Sequence, residues 1–257
     1  MRITLEPKSH PEHGIILLDS HEQWGHDPFP DNMAFLSAMP EGWYDSLEQR
    51  NAPVVNPQGD GSYMPLRLFT SHRTVTLHCR RSQHRWSRQS SSLTDLRFLD
   101  LLNSLVTQRV RLTVEDGLGR RHSDGILTQP ITQSWPGVES TRFTLILSLD
   151  PLKLGDPITS TLAGSGTLHI EDNGIASSLP SIHVDGPVTS LSLASSGHSV
   201  QWSGNAASLD IDFNDLTPSS GSITNDDLFA IQPGANSITI SADQTAKTTL
   251  SFCPAWR

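Results

Sequence analysis

Four stretches of this 257-residue sequence hold residue types that could do chemistry. His10, His13, His21 and His26 crowd the N-terminal region together with Glu22 and Asp27, and "HEQWGH" invites comparison with the zinc motif H-E-x-x-H. That motif works because histidines four apart share one helix face and grip one ion. His21 and His26 are five apart, and Gly25 and Pro28 oppose a helix. They read as turn and surface residues, and no metal site is expected. "GLGRRH" (117–122) begins like a dinucleotide loop but lacks the third glycine and a following helix, so it reads as a hairpin turn. "AGSGT" (163–167) flanks Ser165 with glycines, yet it is not G-x-S-x-G and no helix follows to form a nucleophile elbow. No phosphate loop occurs, and no carboxylate sits in an apolar stretch that would raise its pKa. Catalytic, metal and cofactor residues are therefore expected to be none, and the chain is read as not an enzyme.

The fourth stretch is the densest run of charge. Arg67, Arg73, Arg80, Arg81, Arg85 and Arg88 are joined by His72, His78 and His84, and no acid interrupts residues 61–94. One reading is a solvated strand edge and loop. The other is a subunit contact, in which guanidinium forks grip an acidic partner surface bidentately. Nucleic acid ranks below both, because Trp86 is the sole aromatic among the arginines and the chain's net charge is -9.

The elements that must position these residues are mostly strands. Hydrophobic content is 35%, only 6% of residues are aromatic, and 18 glycines and 17 prolines are spread along the chain, a pattern of many short strands and turns. "GIILLDS" (14–20) reads as a buried strand, and residues 21–62 are turn-rich. "RTVTLHC" (73–79), "RVRLTVED" (109–116) and "TRFTLILSL" (141–149) alternate with Val75, Leu77, Cys79, Val110, Leu112, Val114, Phe143, Leu145, Leu147 and Leu149 inward. One helix is predicted, about 93–106, with Ser92 as N-cap, Asp95 three residues on, and an apolar face of Leu96, Leu99, Leu102 and Leu105.

"DPLKLGDP" (150–157) breaks the pattern and sets the expected domains at 1–154 and 155–257. The second half has no helix-length period. Its alternating runs "GTLHIED", "SIHVDG", "SLSLAS", "SLDIDFN", "NSITIS" and "TTLSF" predict an all-β sandwich, with Pro233-Gly234 turning into a last pair of strands anchored by Ile238, Ile240, Leu250 and Phe252. Charge is uneven: residues 1–150 hold 15 of 18 basic and 17 of 27 acidic side chains. Cys79 and Cys253 read as separate thiols in strands, not as a disulfide. No apolar stretch approaches spanning length and no signal segment is evident, so synthesis in a cytoplasm and no membrane are expected.

With the elements in order, the sequence resembles the distal tail protein (Dit) family of long-tailed, non-contractile phages. "GDGSY", "SHRTVTLHCR", helix 93–106, "RVRLTVED" and "RFTLILSLDP" match its ring-forming domain, down to the closing Asp150-Pro151. "DNGIASSLPSIHVDG", "LDIDF" and "FAIQPGANSITI", before a strand ending in "PAW", match its C-terminal domain. The resemblance covers roughly residues 59–257, and the His- and Pro-rich residues 1–58 fit it less well. It implies a mainly β chain, with an N-terminal antiparallel β-sandwich carrying one helix and a C-terminal galectin-like β-sandwich. It also implies a structural virion protein, a homohexameric ring at the distal end of the tail. Its implied partners are the tail tube protein, the tail-tip hub and the receptor-binding proteins, with no specific nucleic acid. The alternative from another class is a carbohydrate-binding module for host adhesion, for which Trp202 and Trp256 are the available platforms, although both lie in strand-like contexts. A hydrolase is a third choice.

Overall fold

The structure, a computed structural model, describes residues 1–19, 30–51, 53–65, 69–82, 91–129, 131–137, 140–243 and 246–257; of residues 82, 91–96, 132–137 and 140 it describes the backbone alone. The chain divides into unit 1, Met1–Lys153, and unit 2, Leu154–Arg257.

Unit 1 contains β1 (Arg2–Pro7), β2 (Ile15–Leu18), β3 (Met33–Leu36), β4 (Val54–Val55), β5 (Ser62–Tyr63), β6 (Arg73–Ser82), α1 (Ser91–Leu105), β7 (Val110–Asp116), β8 (Gly119–Leu127), β9 (Thr132–Gly137) and β10 (Ser140–Leu149). Hydrogen bonding runs β8-β7-β1-β2-β3-β6-β10-β9, and a further β8–β10 pairing closes the path into a barrel-like sandwich. Gly125 sits where β8 leaves β7 for β10, pairing with both Val110 and Leu149. A Cβ there would lie 2.1 Å from the Ser148 carbonyl, so only glycine lets the strands close. The alternations read from β6, β7 and β10 all point into one core, where α1 adds Phe98, Leu102 and Leu105. Phe98 tilts against Phe143 at 5.4 Å between ring centroids.

Three features of unit 1 depart from the sequence expectation. β1 pairs with β2 and β7 and buries Ile3 and Leu5. β3 is buried on both faces. β2 and β3 run parallel, whereas the other neighbours along the closed path pair antiparallel. The Ser92 and Asp95 side chains, read as helix caps, lie outside the described side chains.

β11 (Lys153–Leu154) lies where one unit ends and the other begins. Unit 2 continues with β12 (Ile158–Ala163), β13 (Gly166–Asp172), β14 (Ser181–Ser195), β15 (His198–Asp212), β16 (Thr217–Pro218), β17 (Ser222–Asp226), β18 (Gly234–Ala242), β19 (Lys247–Phe252) and β20 (Ala255–Trp256). One long hairpin, β14–β15, serves both layers. Its 181–185 half pairs with β19, while Leu191–Ala194 pairs with β18. The switch falls at bulges around Val188, just after Gly186 and Pro187, residues that a strand tolerates at a bulge. The sandwich is thus β12-β19-β14-β15-β16 facing β13-β18-β14-β15-β17. The predicted last strand pair takes another form: β18 and β19 lie in opposite layers, and Ile238, Ile240, Leu250 and Phe252 meet across the core.

Candidate functional site

β6 carries the central part of the arginine run, and its alternation sorts the side chains. Arg73, Val75, Leu77, Cys79 and Arg81 are buried, whereas Thr74 and Arg80 are exposed. Arg73 is 2% exposed, and its Nη1 donates to the carbonyls of Gly42 (2.9 Å), Trp43 (3.1 Å) and Asp45 (2.9 Å). Burial pushes this guanidinium down from its ordinary pKa, with Asp45 acting in the other direction. Gly42 has φ +81°, and a Cβ there would lie 2.0 Å from the Thr74 carbonyl, so the fastened loop needs glycine. Arg81 does the same at the other end of β6, donating to the carbonyls of Asp31 (3.1 Å) and Met33 (2.5 Å) and stacking 4.7 Å from the Phe98 ring centroid.

Lys153 completes the buried cations of the unit. Its Nζ donates to the Trp43 carbonyl (3.2 Å) that Arg73 also uses. Burial, then repulsion from Arg73 and Arg121, pushes Lys153 down to about 8, against a smaller pull from Asp116. Next to it the Tyr44 hydroxyl donates to Asp116 (2.6 Å), and burial followed by that bond pushes the phenol up to about 12. These groups hold loops to the barrel wall.

The expected arginine contact face therefore shrinks. Arg73 and Arg81 are turned onto the chain's own carbonyls, since a buried guanidinium must satisfy its donors there. Arg80 is exposed, and Arg67, Arg85 and Arg88 lie outside the described residues, as do His21, His26 and Trp86. Arg142, which the sequence reading passed over, stands directly opposite Arg80 in the β6–β10 register and is also exposed. Its outward place in the alternation of "TRFTLIL" was the available signal.

A second surface feature lies between Glu48 and Ser71. Bonds from Ser71 N to Glu48 O (2.8 Å) and from Arg50 N to Phe69 O (2.8 Å) begin a ribbon that β4 and β5 continue, with "GDG" at its tip. Val54, Val55, Tyr63, Met64 and Phe69 are each more than half exposed, and none joins an apolar core cluster. An isolated two-stranded ribbon is marginal in water, so these side chains call for cover.

Trp202 proves to be a core residue of unit 2. It is 2% exposed, its Nε1 donates to the Ser220 carbonyl (2.6 Å), and Gly204 and Gly221 make room for its ring. Trp256 is half-buried over Gly155. Neither offers an open aromatic platform. "AGSGT" is the turn between β12 and β13, with Ser165 donating to the Ala242 carbonyl (3.0 Å), and "GLGRRH" begins at the β7–β8 hairpin turn. Cys79 and Cys253 are free thiols. Among the described residues no group of three or more His, Cys, Asp or Glu is placed to hold a metal ion.

No family model matches the sequence, and no curated protein sequence does. The fold, however, is that of a class of phage hub and baseplate proteins. SPP1 Dit (gp 19.1), described as a paradigm of the hub adsorption apparatus in phages infecting Gram-positive hosts, is 12% identical. The match covers 99% of this chain and 99% of SPP1 Dit at a TM-score of 0.63. A chain of the phage p2 baseplate in its activated conformation with strontium is 9% identical, with 98% of each chain covered and a TM-score of 0.52. At such identities the likeness is one of fold, and it includes both units.

Proposed function

We propose that this chain is a phage distal tail protein, an architectural subunit of the adsorption hub. Copies form a ring, hexameric as the Dit resemblance implies, that joins the tail tube to the tail-tip hub and receptor-binding proteins. Unit 1 builds the ring and unit 2 points outward. The protein is made in the host cytoplasm and resides at the distal end of the virion tail, and it does no catalysis. The observation that carries this reading is the match to SPP1 Dit along 99% of both chains. The apolar ribbon of residues 48–71 supports it, because a subunit of a closed ring needs a heterologous contact and an uncovered arm supplies one side of it. The carbohydrate-binding alternative gains no such support, since Trp202 is buried and Trp256 half-buried.

Native mass measurement and negative-stain imaging of the purified full chain test the proposal. A sixfold ring is the expected result. A monomer throughout the micromolar range, joined by specific retention on a glycan array, would replace the hub reading with the binding module.

A further inference from the structure

We propose that the Arg80–Arg142 rung on the outer face of unit 1 docks against the Asp210–Asp212 face of unit 2 in a second copy of this chain. This rests on the reading of the chain as a ring-forming subunit and names the chemistry of one contact.

The rung is electrostatically unfinished. Residues directly opposite on antiparallel strands hold their Cβ atoms about 5 Å apart, and like charges there repel. Arg80 and Arg142 occupy such a pair, and among the described residues neither finds an ion pair or side-chain hydrogen bond. The nearby outward acid, Glu41, is engaged by His78 at 3.3 Å. Other arginines of unit 1 are supplied with acids: Arg97 with Asp31 (3.2 Å), Arg109 with Asp150 (2.9 Å) and Arg111 with Asp124 (2.8 Å). Arg2 and Arg50 are also exposed without such an acid, but neither faces a second arginine across a strand pair, so the rung is set apart by its doubled charge.

Unit 2 carries the complement. It holds ten acidic side chains against two basic ones. Asp210 and Asp212 alternate on β15, so both face outward, about 6.6 Å apart along the strand. Each has one oxygen engaged: Asp210 Oδ1 with His183 Nδ1 (2.6 Å), and Asp212 Oδ1 accepting from the Asn214 side chain (2.7 Å). The second oxygen of each has no protein partner. Beside them Ser181, His183, Thr249 and Ser251 line a shallow depression of about 150 Å³, room for a guanidinium head with hydroxyls around it. Two forks spaced like the two carboxylates can each take a charge-assisted pair. Because the two faces differ, the contact is heterologous, and it adds to the contacts by which unit 1 builds the ring.

Sedimentation velocity on the full chain at low and high salt tests this, with absorbance at 260 nm followed throughout. The wild-type assembly is expected to weaken about tenfold or more in affinity as salt screens the contact. Arg80→Glu with Arg142→Glu should weaken assembly about tenfold or more. Adding Asp210→Arg and Asp212→Arg to that chain should restore assembly by exchanging the charges. Arg142→Glu alone puts a carboxylate across from Arg80, so its melting midpoint should hold or rise slightly, which separates lost docking from misfolding. Wild-type assembly retained by the double arginine variant overturns the contact and leaves the hub reading standing. A monomeric wild type overturns both. Failure of the charge exchange to restore assembly removes the Asp210–Asp212 face as the occupant. Nucleic acid that co-purifies with the wild type and is lost with the rung would assign the rung to that ligand instead.

Discussion

Unit 1 and unit 2 both enclose an apolar core in strands, but they bury polar groups differently. Among the described residues unit 1 buries three cations, Arg73, Arg81 and Lys153, each donating to backbone carbonyls, in the 42–45 loop or at the start of β3. Among the described residues unit 2 buries no cation; its buried polar side chains are Asp172, Ser178, Ser195 and Thr248. The cause lies in chain path. Unit 1 must bring the irregular segments at 30–32 and 42–45 against the barrel wall. A long side chain with several donors satisfies carbonyls there from a distance. Unit 2 is mostly strand joined by turns, and side chains that reach its carbonyls are uncharged, as with Trp202 to Ser220, Ser195 to Ser237 and Asn236 to Gln232. Unit 1 is fastened by buried cations, unit 2 by turns and neutral side chains.

The largest test of that contrast is Arg81→Met, which keeps an apolar stem and deletes the donors. Leaving the carbonyls of Asp31 and Met33 buried without partners should cost unit 1 about 4 kcal/mol. Amide exchange read separately on peptides covering 30–36, 73–82 and 198–212 resolves the effect. The first two should exchange faster while the third is unchanged. Equal loss of protection in unit 2 would mean that the units do not differ in the way described.

Next in size is the pH response of Lys153. Its ordinary pKa of 10.5 falls to about 8 in the fold. Between those values the unfolded chain binds the proton that the folded chain has released, so Lys153 adds stability to unit 1 as pH rises from about 8 to 10.5. The Cys79 thiol, pushed up by burial from its ordinary 9.0, works the other way above that value. The full lysine span corresponds to about 3 kcal/mol, since each pKa unit is worth roughly 1.4 kcal/mol. Lys153→Met should abolish that contribution and leave the opposing one. Denaturant midpoints recorded for both proteins across that window decide it, and a difference between them that stays constant with pH would contradict a buried, charge-crowded lysine.

How much of this contrast could be read beforehand differs between the units. The alternations of β6, β7 and β10 were legible because each strand is buried on one face, and period two records that directly. In β6 the same period placed Arg73 and Arg81 on the inner face with Val75, Leu77 and Cys79. The guanidiniums suggested a surface, because the carbonyls that receive them come from loops distant in sequence. β1 offered only Ile3 and Leu5, and β3 is a run of four buried residues without alternation, which no period marks. In unit 2 the runs 181–186 and 190–195 were read as two strands because Gly186-Pro187 looks like a turn. The structure makes it a bulge inside the 15-residue strand β14. Local punctuation is ambiguous between a turn and a strand that changes sheets, and only long-range pairing resolves it. For the contact face, like charge on Arg80 was legible, while its pairing with Arg142 depended on a register that no single strand reveals.

The smallest expected effect bears on the unit 2 half of the contrast. The β14–β15 hairpin turns through Ser196 (φ 53°) and Gly197 (φ 87°), both in the left-handed region, as a type I′ turn requires. Serine is a poor occupant of the first position, whereas asparagine adopts it readily through local hydrogen bonding. Ser196→Asn should therefore stabilise unit 2 by about 0.5 kcal/mol, seen as slower exchange across 190–203 with unit 1 unaltered. The position is exposed and Gly197 has open space around it, so the substitution meets no packing limit. If protection stays the same or falls, the long hairpin is held by its neighbours β18 and β19 and not by its turn. Unit 2 would then be fastened, like unit 1, by contacts distant in sequence.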